Sequence, residues 1–311
     1  MHTQPIRDGA VPLSHWGVIR AHGADAAKFL QSQLTNDVEA LEPSQLRLAG
    51  FCSAKGRLQA SFVIWRPAHD ELLLACSASV LAATLKRLSM FVLRAQCKLS
   101  DASAELALYG VAGDSARAWL GDTVVGGRRE IDGGSLLRLP DAGGVARCIA
   151  ALAPLHRPAA TVALPLDAWQ LLEVQSGIPI IEASTVDRFV PQMVNYELVG
   201  GVDFAKGCYP GQEIVARSEY RGTIKRRMFL FECDAVAQPG QDVYHNADPA
   251  QPAGTVVNAA VPTEGPGSVA LIEVKLSALG SGTLHLGSAD GALLRIGVLP
   301  YAVPAAASLA A

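Results

Sequence analysis

Twelve residues, Lys206-Gly-Cys-Tyr-Pro-Gly-Gln-Glu-Ile-Val-Ala-Arg217, bring an amine, a thiol, a phenol, a carboxylate and a guanidinium into one short stretch. Tyr209-Pro210-Gly211-Gln212 has the chemistry of a type II turn, because proline presets φ at the second position and glycine tolerates a positive φ at the third. Gln212 to Tyr220 then reads as a short helix with Glu213 in its first turn and Gly222 as its stop. Cys208 therefore falls just ahead of a helix N-terminus and two residues from Lys206, and both neighbours favour a thiolate. The competing account is plain packing: a free cysteine is commonly a small buried hydrophobe, and a glycine-flanked turn before a helix is ordinary scaffolding. Spacing alone leaves both open.

Glu173 is the second residue with pointed chemistry. Asp167, with Gln170 three residues on, has the pattern of a capping box for a helix ending at Gly177. Trp169, Leu171, Leu172 and Val174 make this helix apolar over most of its circumference, and so buried. Glu173 shares a side with Leu166 and Trp169, where a carboxylate is expensive without a partner. Solvent reached by snorkelling, an arginine, or a ligand edge with paired N–H donors would each serve. Beyond the motif, Arg217, Arg221, Lys225, Arg226 and Arg227 oppose only Glu219 over eleven residues. Such runs are mostly solvated faces, but a local basic patch also suits an anionic tail, a phosphate or an acidic partner.

The elements that must position these groups read as an α+β body followed by a small antiparallel barrel. Residues 1–22 are loop-like. Asp25 is placed to cap a helix carrying Phe29, Leu30 and Leu34, which Thr35-Asn36-Asp37 breaks. Leu46 to Trp65 reads as two strands joined around Ala54-Lys55-Gly56, the second alternating Leu58, Ala60, Phe62 and Ile64 with Gln59, Ser61, Val63 and Trp65. A strand at 72–76, a helix at 79–94, strands at 105–111, 136–139 and 146–152, and a helix at 114–120 follow. Strands alternating with helices point to ferredoxin-like sub-units, connected near 154–165, within a body spanning 1–222. From 223 to 311 short strands at 228–233, 255–260, 268–272 and 294–298 lie between Pro/Gly turns, which is a barrel pattern. Residues 301–311 are Ala-rich and read as a frayed tail.

Composition narrows the function classes. Across 311 residues, 50% are hydrophobic and 18% charged, the balance of a globular chain with sizeable cores. A net charge of −3 gives no bulk attraction for nucleic acid. The six cysteines contain no C-x-x-C pair, which argues against a zinc site, a thioredoxin motif or a resident iron–sulfur cluster. No metal site is expected. The N-terminal stretch lacks an apolar signal core and no run nears 18 apolar residues, so the expected setting is cytoplasmic and reducing, away from membranes.

The string K-G-C-Y-x-G-Q-E-x-x-A-R resembles the signature of the YgfZ family of folate-binding proteins, relatives of the glycine-cleavage T-protein. Phe29 to Val38 resembles their shared opening segment. Gly177-Ile-Pro179 and Phe189-Val-Pro191-Gln192 with Asn195 continue the likeness into the motif. The resemblance implies a T-protein-like body with tetrahydrofolate as cofactor, serving iron–sulfur client enzymes or assembly factors, tRNA-modifying ones included, without direct contact with nucleic acid. Glu173 would hold the pterin, whose ring N–H and amino group form a two-donor edge. Tyr209, Gln212, Arg217 and Arg221 would complete the cofactor contacts, the two arginines at the anionic tail. Cys208 would be the reactive thiol, and Lys206 would depress its pKa. In one respect the chain departs from T-proteins: Ala60 and Ser61 stand where an aspartate important to methylene transfer is expected. An accessory role is therefore favoured over a tetrahydrofolate-dependent aminomethyl- or methyltransferase, and a docking scaffold with a vestigial folate pocket is the third reading.

Overall fold

The strand Leu58–Ala68 alternates between two buried cores instead of between core and water, and this arranges the first half of the molecule. The computed structural model describes residues 7–158, 162–220, 224–263 and 265–304. Leu58–Ala68 belongs to a five-stranded antiparallel sheet whose spatial order is Leu46–Cys52, Leu58–Ala68, Glu71–Ser77, Trp16–His22 and Lys98–Asp101. Ala60, Phe62 and Ile64 pack with Phe29 and Leu30 of helix α1 (Ala26–Gln31) and with Val80 and Leu81 of helix α2 (Ala78–Ser89). Val63 and Trp65, on the opposite face, join Leu108, Leu137 and Ile149 of a second sheet. That sheet runs Gly9–Pro12, Ala107–Ala112, Val145–Leu152, Gly134–Ala142 and Arg128–Ile131, with helix α3 (Gly113–Leu120) against it. Two stacked antiparallel sheets bury both faces of the central strands.

Helix α4 (Leu166–Gln175) packs Trp169 and Leu172 into the core between the sheets. Helix α5 (Gln212–Tyr220) follows the motif turn, with the bounds the sequence predicts. The chain then closes a six-stranded antiparallel barrel in the order Arg226–Cys233, Ser268–Lys275, Asp248–Ala260, Asp242–His245, Leu284–Leu286 and Ala292–Ile296. The expected α+β body and C-terminal barrel are both present.

Several local expectations are corrected. Residues 9–12 and 16–22 are strands, not loop; Trp16–His22 buries Gly17, Ile19 and Ala21 on one face, where the small Gly17 and Ala21 give little apolar signal. Asp25 does not cap α1, since its Oδ2 accepts from Gln96 N at 2.7 Å. The helix ends at Gln31 and α2 at Ser89, both short of the predicted extent. The residue ahead of α4 is Pro165, and Asp167 bonds only its neighbour Ala168 N, at 2.8 Å, so no capping box forms. Tyr301 is no frayed residue: its hydroxyl donates to Gly177 O at 2.7 Å. Residues 305–311 lie outside the described residues, as do 159–161 within the expected connection.

Candidate functional site

Glu173 lies near the end of α4, whose stop is a serine and a glycine: Ser176 Oγ donates to Glu173 O at 2.6 Å, and Gly177 takes φ +67°. The carboxylate is buried and fully engaged on one oxygen. Trp169 Nε1, one turn earlier, and Trp16 Nε1, from the first sheet, donate to Oε1 at 2.7 and 2.8 Å. His15 Nε2 meets Oε2 at 3.0 Å. Trp169 is itself fixed: the bare face of Gly110 receives its ring, where a Cβ would come within 2.4 Å, and the guanidinium of Arg147 lies 5.8 Å from its centroid. Burial lowers Arg147 to about 10, and the charge of Glu173 opposes that fall. The carboxylate is therefore a preorganised acceptor with a fixed orientation.

A cavity of about 350 Å³ opens beside it, between the body and the barrel. His15, Ser77, Ser79, Gln170, Glu182 and Asn258 are among its polar lining. Asn258 clasps the strap that follows α4, residues 178–183, at Ile180 by two backbone bonds, at 2.8 and 2.9 Å, and donates to Glu182 Oε1 at 3.1 Å. Burial pushes the Glu182 carboxyl above its ordinary range, against the effect of that bond. His15 Nδ1 is buried and has no hydrogen-bond partner among the described residues. A water or a polar ligand group could satisfy that nitrogen.

The motif loop forms a second centre. Gln212 N donates to Tyr209 O at 3.2 Å and Gly211 takes φ +79°, which is the predicted type II turn. Gly211 is packed against the Ser53–Gly56 turn, and a Cβ there would lie 2.4 Å from Ser53 O. Lys206 is buried, with its ammonium donating to Gln31 O and to Leu34 O at 2.7 Å, and lies 5.1 Å from the centre of the Tyr209 ring. Thr35, Asn36 and Asp203 complete the clamp: Thr35 Oγ1 donates to Gly201 O at 2.6 Å, Asn36 Nδ2 to Gly200 O at 2.7 Å, and Asp203 N to Thr35 O at 2.9 Å. Cys208 is exposed on this loop.

Comparison with known proteins agrees with this architecture. Residues 7–127 match the GCVT N-terminal domain. The glycine cleavage system aminomethyltransferase T from Bartonella henselae superposes with a TM-score of 0.72 at 16% identity, covering 96% of this chain and 87% of that one; at that identity the likeness is one of fold. The tRNA-modifying protein YgfZ of Edwardsiella ictaluri (strain 93-146) is 35% identical over 245 residues, 73% of this chain and 72% of its own. That of Sodalis glossinidius (strain morsitans) is 30% identical over 312 positions, 94% of this chain and 93% of its own. The chain belongs to the YgfZ family.

In this YgfZ-family chain the sequence-predicted site residues divide between two places. Glu173 lines the cavity; none of residues 206–217 does. Tyr209 is buried beneath Lys206, and Gln212 reaches Lys206 O at 3.5 Å. Arg217 pairs with Glu213 at 3.0 Å on the exposed face of α5, and Arg221 lies outside the described residues. Ala60 is fully buried, and Ser61 Oγ accepts from Ile181 N at 2.9 Å, a structural tie in place of a carboxylate. The sequence reading missed His15, Trp16, Glu182 and Asn258. A lone tryptophan before an apolar run was the one visible signal among them.

The six cysteines should differ sharply in reactivity. Burial raises the thiols of Cys52, Cys76 and Cys148 to about 12 and that of Cys97 to about 11, Cys233 is buried, and Cys208 is exposed. Iodoacetamide applied to the folded protein should therefore modify Cys208 first, read by peptide mass spectrometry. Labelling of any buried cysteine at the same rate would contradict this packing.

Proposed function

We propose that this chain binds a reduced folate and serves as an accessory protein in tRNA modification, through the assembly or repair of iron–sulfur clusters in client enzymes. The observation that carries the folate reading is the acceptor pair in the cavity wall. Glu173 has one oxygen fixed by two indole N–H groups, and its other oxygen meets His15 Nε2, whose Nδ1 has no partner among the described residues. A pterin edge presents N–H donors, one of which the remaining lone pair of Glu173 Oε2 can accept with charge assistance. A volume of about 350 Å³ is within the range of small-ligand sites. Glu173 and His15 would hold the pterin, and a reduced folate would bring one-carbon chemistry to the site.

The names of the relatives support the link to tRNA modification. A chain with net charge −3 is better suited to acting on partner proteins than on tRNA itself. Cys208 is the group we assign to iron or sulfur in transit to a client. The loop holds it exposed, and Lys206 beside it is engaged with backbone carbonyls.

Isothermal titration of the protein with tetrahydrofolate under anaerobic conditions tests the folate reading. Saturable heat is expected, with a rise in thermal stability equivalent to ~2.7 kcal/mol at a ligand concentration 100 times Kd. Absence of both heat and thermal shift at millimolar ligand would remove the folate from the proposal.

A further inference from the structure

The cavity at Glu173 has a neighbour on the far side of its polar lining. Ser79 lines it and also lines a second groove of about 530 Å³, and the strap passes from Glu182 in the first to Ala183 in the second. The two spaces meet where Ser79 Oγ accepts from Ala183 N at 3.1 Å. The second groove is walled by Phe51, Val80, Ala83, Met90 and Val186, and two cations, Lys86 and Arg87, stand on its α2 side. Both cations are exposed, and neither makes an ion pair among the described residues. Helix α2 begins at the polar cavity and runs along the groove, so the eight helical steps from Ser79 to Arg87 span ~12 Å at 1.5 Å per residue.

The order of chemistries along this path is acceptor pair, apolar wall, then paired cations. We propose that the groove beside α2 takes the aryl-glutamate arm of a reduced folate whose pterin rests against Glu173, with Lys86 and Arg87 receiving the glutamate carboxylates. The inference rests on the folate reading above and adds to it a tail site away from the motif. Arg217, the described motif arginine, is turned instead to Glu213 on the face of α5. The apolar wall suits the aryl ring, whose burial supplies affinity without direction, and the exposed cations select a chain with several carboxylates. A polyglutamyl folate, with a carboxylate added at each residue, is accordingly the preferred ligand class.

Three ligands on three proteins test this. Tetrahydrofolate monoglutamate, its triglutamate and 6-methyltetrahydropterin, which lacks the arm, are titrated into wild type, Lys86→Ala/Arg87→Ala and Lys86→Glu/Arg87→Glu. Wild type is expected to bind the triglutamate more tightly than the monoglutamate, with an advantage that shrinks as salt rises. The alanine pair should weaken triglutamate binding by roughly three- to thirtyfold, the reach of two screened ion pairs, and the charge reversal by more. Binding of 6-methyltetrahydropterin should be unchanged in both, which also shows that the variants are folded. Equal affinity of all three proteins for the triglutamate overturns the tail site, including the case in which the groove seats an apolar segment of a protein instead. Absence of any pterin or folate binding to wild type overturns the folate reading itself, and the tail site with it.

Discussion

Glu173→Gln is expected to weaken tetrahydrofolate binding by about 10- to 100-fold, the worth of one charge-assisted hydrogen-bond pair. The substitution keeps the shape of the side chain and an oxygen that can continue to accept from Trp16 Nε1 and Trp169 Nε1. What changes is the second position, where an acceptor beside His15 becomes an N–H donor facing the donors of the ligand. Glu173→Leu should lose at least as much affinity, but for a different sum of reasons. It leaves two indole N–H groups without an acceptor, at ~1–3 kcal/mol each, and removes the charge that opposes the desolvation of Arg147. The two variants should therefore rank alike in affinity and apart in stability, with leucine well below glutamine in urea denaturation. If Glu173→Gln binds tetrahydrofolate as wild type does, the carboxylate is a structural anchor for two tryptophans and the ligand lies elsewhere.

That dual use of Glu173 explains why half of its environment was invisible in the sequence. The 3.6-residue spacing puts Trp169 one turn before Glu173, so that contact is local and legible. Trp16 reaches the same oxygen from a strand more than 150 positions away, and nothing in a single chain pairs residues at that separation. Asn258 and Glu182 meet for the same reason only once the barrel has docked on the strap. The motif was legible because its geometry is local: Pro210 and Gly211 dictate the turn, and the turn dictates the start of α5. The failure at Asp167 has a different cause. Its side chain found a nearer donor at Ala168, while Pro165 had already set the entry to the helix. Four of the six barrel strands were legible because prolines and glycines punctuate them, but Asp242–His245 and Leu284–Leu286 are too short to show a period, and Asp248–Ala260 begins ahead of its predicted start.

Lys206→Met is expected to destabilise the fold by about 2–5 kcal/mol, because two carbonyl oxygens near the end of α1 lose their donor. The dependence of this loss on pH is more informative than its size. Burial brings the Lys206 amine from its ordinary 10.5 down to about 8, against the pull of Asp37, Asp203 and Glu39. Between those values the unfolded chain holds a proton at this residue that the folded chain has released. Stability contributed by Lys206 therefore rises with pH across that window, from about 8 to 10.5. Lysines and tyrosines elsewhere titrate alike in both proteins and cancel in the difference. The gap in unfolding free energy between wild type and Lys206→Met should thus widen from pH 7 to pH 9.5, measured by urea denaturation. An ammonium held chiefly by its partners behaves differently: its folded pKa stands above 10.5, so the gap stays flat from pH 7 to 9.5 and narrows only beyond 10.5. A flat gap across that range would mean that the carbonyls and carboxylates outweigh desolvation. Lys206 would then carry its charge throughout that range, and the motif would have to be read as a cation placed to activate a thiol. A widening gap assigns the lysine to the clamp between α1 and the motif loop, and leaves Cys208 with its exposure as the property that matters.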